Sequence, residues 1–162
     1  MTRRLTRAAL LTALALIIFV LEAQLPPLVP IPGIKLGLAN IITLYALFRL
    51  GPADTLGILL VRILLGSVFA GAVSAMLFSL AGGLLCYLII LFLRKLVTEK
   101  QIWVCGVFGA IFHNLGQTGA AVLIYGTPAV AFYLPVLLLS AVITGAFTGL
   151  AAQAAIARLG KN

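Results

Sequence analysis

The sequence predicts an all-α polytopic membrane protein: a bundle of six transmembrane helices with both ends on the cytoplasmic side. Three observations predict it. Of the 162 residues, 64% are hydrophobic and 9% are charged, with a mean hydropathy of +1.27. A soluble domain is about 45–50% apolar and about 25% charged, so an aqueous surface cannot be built from so few charges. The chain also breaks into six apolar segments. Finally, its basic residues gather at alternate segment ends, as the positive-inside bias requires.

Length fits one integral membrane domain over residues 1–162, because a spanning helix takes roughly 20 residues. The segments are set off by charge, proline and glycine, since helices in lipid are apolar nearly all round. The first runs from Leu5 to Glu22. The basic start, Met1-Thr-Arg-Arg, resembles a signal peptide, but apolar segments continue to the end and favour an uncleaved first helix. The loop Gln24–Gly33 carries four prolines in seven positions, which forbids a continuous helix. The second segment, Leu36 to Leu50, is short for a span. Gly51-Pro-Ala-Asp54 then forms a turn, with Asp54 as the expected N-cap of a third segment, Thr55 to Ala70.

Small residues Gly71–Ala75 lead into the fourth segment, which ends at Arg94-Lys95. A polar link, Val97–Gln101, precedes the fifth, Trp103 to Ile124, with Trp103 as an interfacial anchor. Tyr125-Gly-Thr-Pro128 is a turn. The sixth begins between Phe132 and Leu137, because Pro135 suits a first helical turn, and ends near Ile156.

Six crossings with the N-terminus inside place Arg3, Arg4, Arg7, Arg49, Arg94, Lys95, Lys100, Arg158 and Lys161 on the inner side, nine of the eleven basic residues. The formal charge of +8 is thereby explained by the membrane rather than by a nucleic-acid partner. Cys86 and Cys105 lack the spacing of a zinc site and read as buried free thiols.

Lys35 and Arg62 break the charge rule. An arginine near the bilayer centre costs about 2.5–3.5 kcal/mol on insertion scales and faces a partner or a cavity. Following each segment in its direction sets Glu22, Lys35, Asn40, Arg62, His113, Asn114 and Gln117 between the midplane and the outer surface. His113 and Gln117, four apart, share a helix face. These residues are the candidate substrate-binding set, a pocket open outward and suited to a small anionic or amphiphilic ligand. The alternative is a structural network in which Glu22 neutralises Arg62 and the amides join helices. Small residues also line the inner part of segment one (Ala9, Thr12, Ala13, Ala15) and segment six (Ala141, Gly145, Gly149). Internal packing and contact with another membrane subunit both account for such stripes.

Pro32-Gly-Ile-Lys-Leu-Gly-Leu-Ala-Asn-Ile41, Leu60-Val-Arg-Ile-Leu-Leu-Gly-Ser67, Phe78-Ser-Leu-Ala-Gly-Gly83, His113-Asn-Leu-Gly-Gln117 and Tyr133-Leu-Pro-Val-Leu-Leu-Leu-Ser140 resemble the signature blocks of one bacterial membrane family. It carries two names, Gx transporter family and heptaprenyl diphosphate synthase component I. That family is in turn similar to the S-components of energy-coupling-factor (ECF) transporters. The resemblance implies a multi-pass protein of the bacterial cytoplasmic membrane with an S-component-like bundle. It implies a substrate-binding subunit that captures its ligand from outside and docks, through Ala9 and Ala13, onto ECF transmembrane and ATPase subunits.

The second family name implies instead an accessory to a soluble prenyl synthase in isoprenoid or menaquinone side-chain synthesis. Aspartate-rich prenyl elongation needs clustered carboxylates to hold magnesium on a diphosphate. Glu22, Asp54 and Glu99 are the only acids and stand far apart, and there is no Walker A sequence. The chain is therefore not expected to be an enzyme by itself, nor to hold a metal or cofactor.

Overall fold

The computed structural model describes residues 2–24, 37–70 and 73–159. Among these the regular structure is all helical: α1 (Thr2–Gln24), α2 (Asn40–Arg49), α3 (Pro52–Ala70), α4 (Val73–Leu93), α5 (Ile102–Tyr125) and α6 (Leu134–Leu159). Short 3₁₀ turns over Glu99–Gln101 and Pro128–Tyr133 lead into α5 and α6. Five helices are long and apolar enough to cross a bilayer. These long apolar helices mark the chain as a membrane protein. α2 is the exception, because ten residues reach only about 15 Å at 1.5 Å per residue, half of the roughly 30 Å hydrocarbon layer. The four-proline loop and Lys35 lie outside the described residues.

Local chemistry sets most boundaries. α2 ends where Leu50 and Gly51 both donate to the Ala46 carbonyl, at 2.7 and 3.1 Å, with Gly51 at φ +100°, a backbone angle that suits glycine. α3 then starts at Pro52 rather than at Thr55. Proline at the first position gives up no hydrogen bond, since that N–H has no intrahelical partner. Asp54 consequently sits inside the first turn and is not the N-cap. Its carboxylate accepts from the Arg4 Nε at 2.6 Å instead. α5 ends on a left-handed Gly126, and Pro135 falls in the first turn of α6, both as the sequence predicts. α6 runs three residues past Ile156.

Contacts between helix ends give the bundle two distinct poles. At one pole Arg4 pairs with Asp54, the Arg49 guanidinium donates to the Ile156 carbonyl at 2.7 Å and lies 3.8 Å from Glu99, and Arg94 stands over the Phe48 ring. At the other, Glu22 meets the start of α2 and the Phe78 and Tyr125 rings touch at 5.8 Å. Successive helices therefore run in alternate directions. Of the nine described basic residues, eight belong to the first pole; Arg62 is the ninth.

The core belongs to that basic half. Leu44, Leu47, Leu59, Ile63, Tyr87, Ile90, Ile102, Cys105, Ala152 and Ile156 form one buried cluster. Around it the helices pack through glycine. A Cβ at Gly145 would lie 2.6 Å from the Gly106 carbonyl oxygen, and one at Gly149 2.6 Å from the Trp103 Cα. A Cβ at Gly116 would lie 2.7 Å from the Ala81 carbonyl oxygen. α5 thus presses backbone to backbone against α6 on one side and α4 on the other, the close approach that small residues permit in membranes. The stripe Ala141, Gly145 and Gly149 is buried, so it serves internal packing.

Gly106→Ala is expected to force α5 and α6 apart and destabilise the bundle by about 1–3 kcal/mol. Gly119→Ala, whose added methyl meets nothing within 4 Å, should be neutral or stabilising by about 0.5–1 kcal/mol. Thermal unfolding of both variants in detergent checks the contrast.

Candidate functional site

Glu22 closes the last turns of α1. Its carboxylate accepts from the backbone N–H of Gly37 at 2.5 Å and of Leu38 at 3.1 Å. These amides lie at the start of α2, where the N-cap Ala39 provides no side-chain hydrogen bond. A carboxylate there satisfies orphan donors and meets the positive end of the helix dipole. Gly37 adopts φ +67°, which turns its N–H and that of Leu38 toward one acceptor. Glu22 therefore joins α1 to α2, and no ion pair between it and Arg62 forms among the described residues.

Arg62 lies in the middle of α3 and is 7% exposed. Its Nε is buried with no hydrogen-bond partner, and no ion pair to it forms among the described residues. Its depth follows from its neighbours. Gly66, one turn further along α3, packs under the Phe19 ring of α1, while Leu59 and Ile63 pack on Gly83 of α4. Arg62 sits between these two faces, within electrostatic reach of Glu22 and Cys86.

The other candidates divide between two helix seams. His113 and Gln117 do share a face of α5, and it faces α4: a Cβ at Gly82 would lie 2.7 Å from the His113 carbonyl oxygen and the Gln117 Cγ, and 3.1 Å from His113 Nδ1. Asn114, about 100° further round the helix, turns to α6, where its Nδ2 donates to the Leu137 carbonyl at 2.8 Å. Asn40 opens α2 and lines a small cleft with Thr43, Cys86, Cys105, Gly109 and Ala110. Its volume of about 10 Å³ suits a water rather than a metabolite. Both cysteines are free and buried. Ala9 and Ala13 are exposed on the outer face of α1, beside Leu10, Leu14 and Ile17.

The structure thus brings Glu22 to the start of α2, His113 and Gln117 to the α4 seam and Asn114 to α6. It adds two donors that sequence reading missed, the Gly37 and Leu38 amides. Backbone groups leave no side-chain signature; the glycine before the short helix is the one available signal.

The family model for heptaprenyl diphosphate synthase component I covers residues 11–155. The chain belongs to that family. No curated protein and no solved structure matches it. For component I this leaves the geometry to speak for itself: three carboxylates on three separate elements, two of them paired with arginines and one on backbone amides. No group of three metal-binding side chains occurs among the described residues.

Arg62→Met keeps the side-chain length and removes an unpaired buried charge. Because replacing buried charge by apolar volume is neutral to stabilising by about 1–4 kcal/mol, the variant should unfold at the same or a higher temperature in detergent. A structural arginine would give the opposite sign.

Proposed function

We propose that this component I protein is a non-catalytic membrane accessory to a soluble prenyl diphosphate synthase. The observation that carries the proposal is the family match over residues 11–155. The dispersal of Glu22, Asp54 and Glu99 supports it, since magnesium-dependent elongation needs clustered carboxylates that a partner must then supply. A membrane subunit suits that chemistry, because the growing prenyl chain is apolar and its diphosphate is anionic. The prenyl group would lie among the exposed apolar faces of the helices.

The proposal includes a topology. The pole holding Arg3, Arg4, Arg7, Arg49, Arg94, Lys95, Lys100 and Arg158 faces the cytoplasm, on the same side as a soluble synthase. Alternating helix directions among the described residues support the six-crossing reading. Reporter tags at the two termini should then both be accessible only from the cytoplasmic side. Tags reporting opposite sides would sink the six-crossing topology.

Capture of a small anionic ligand from outside, in the manner of an S-component, is the second reading. The burial of Arg62 and the exposure of Ala9 and Ala13 on α1 favour it. Elongation assays separate the two. Adding the chain in proteoliposomes to an aspartate-rich synthase should change its rate or product length by about threefold or more. An unaltered product profile, with uptake lost in Arg62→Met cells, would transfer the weight to capture.

A further inference from the structure

We infer that the link between α4 and α5 is the docking surface for the soluble partner. Lys95, Leu96 and Lys100 are its contact residues, and an acidic face of the synthase is its occupant. The identity of the occupant rests on the component I reading and on the cytoplasmic placement of this pole; the surface itself rests on geometry.

Three observations meet on this link. Charge there is unbalanced. Arg49 lies 3.8 Å from Glu99 and donates to the Ile156 carbonyl, which draws the link, the end of α2 and the end of α6 together. Arg94 stands over the neighbouring Phe48 ring. Arg49, Arg94, Lys95, Lys100 and Arg158 therefore share this corner with a single carboxylate, Glu99. Lys95, Lys100 and Arg158 are exposed and form no ion pair among the described residues. The link is also held in one shape. The N–H groups of Leu96 and Val97 both donate to the Leu93 carbonyl, at 2.8 and 3.0 Å. The Gln101 side-chain oxygen accepts from the Thr98 N–H at 3.2 Å and from its hydroxyl at 3.1 Å. The positive-inside bias asks only for charge, and a flexible basic tail would serve it, or a lipid surface, equally well. A fixed spacing of cations instead spares a folded partner the cost of ordering the link. Finally, Leu96 is 67% exposed and lies past Leu93, where the apolar span of α4 closes. An apolar side chain flanked by cations has the arrangement of a protein interface, apolar at the centre and polar at the rim. Complementarity then calls for a partner surface with carboxylates around an apolar notch.

The test uses the full chain in nanodiscs of neutral lipid, with a purified aspartate-rich synthase as the probe. Association and dissociation rates are read by surface plasmon resonance. Lys95→Gln/Lys100→Gln should bind about tenfold more weakly, with the loss in the association rate and shrinking at high salt. Leu96→Ala should instead raise the dissociation rate by about threefold or more. Lys95→Arg/Lys100→Arg should retain binding. Arg3→Gln/Arg7→Gln, a pair at the same pole but on α1, should bind within about twofold of the unaltered chain. Thermal unfolding of each variant confirms that it is folded. Undiminished binding by the Lys95→Gln/Lys100→Gln variant overturns the inference. Equal weakening by the α1 pair does so too, because it reduces the effect to overall charge. It is also overturned if the synthase binds only when anionic lipid is added, and does so equally on empty nanodiscs, which assigns these cations to the bilayer. Elongation assays keep the two readings apart. If the glutamine pair alters elongation as fully as the unaltered chain, the docking surface falls and the accessory role stands. A chain that neither binds the synthase nor alters elongation overturns the accessory reading, and this inference with it.

Discussion

Where α5 passes α6, the backbone of Gly145 and Gly149 stands closer to Gly106 and Trp103 than a side chain on either would permit. On the opposite side, Gly116 and Gly82 bring α5 equally close to α4. Lipid offers helices no hydrophobic incentive to associate, so dispersion over such close contacts and a few hydrogen bonds must hold them. These two glycine seams position His113 and Gln117 against α4 and allow Asn114 to reach the Leu137 carbonyl. They also fix α4 at the level where Gly83 receives Leu59 and Ile63 of α3, and through α3 they set the depth of Arg62. α1 is more loosely held. It meets the bundle through α3 and α2, with Phe19 on Gly66 and Glu22 on the α2 amides.

The polar groups follow a simple economy of hydrogen bonding in a medium that supplies none. Thr12, Ser67, Thr144 and Thr148 return their hydroxyls to carbonyls of their own helices, and Thr55 donates to the Gly51 carbonyl just before α3. Tyr87 reaches the Pro52 carbonyl, and Arg49 donates to the Ile156 carbonyl near the end of α6. Against this background Arg62 stands out. Its Nε is buried without a hydrogen-bond partner, whereas most of the described hydroxyls are paired.

Much of the architecture was legible in the sequence because lipid enforces composition. Five of the six segments became long apolar helices within a few residues of their expected ends, and the turns at Gly51 and Gly126 carry the positive φ angles that glycine signals. The start of α3 was misplaced because Asp54 looked like a cap, whereas Pro52 serves the first turn and Asp54 is drawn to Arg4, fifty residues away in sequence. The site was legible only in part. Helical spacing put His113 and Gln117 on one face, but not which neighbour that face would meet. The partner of Glu22 could not be read at all, because it is backbone, and the more obvious electrostatic partner, Arg62, forms no ion pair with it among the described residues. Nor could spacing separate the two small-residue stripes, since packing buries one on α6 and leaves Ala9 and Ala13 of the other open.

The core cluster and the arginine contacts all belong to one half of the molecule, whereas Phe69, Leu123 and Phe132 project outward from the other, the last two 84% exposed. Such asymmetry divides the bundle into regions of unequal local stability. Amide hydrogen exchange should be slowest around Leu47, Leu59, Ile90 and Ile156 and fastest beyond Gly66 and Thr118. The half that contains Glu22 can thus open in sub-global fluctuations while the half anchored by Arg49 stays folded. A stiff base with a compliant rim lets one small bundle keep its fold while its far end rearranges.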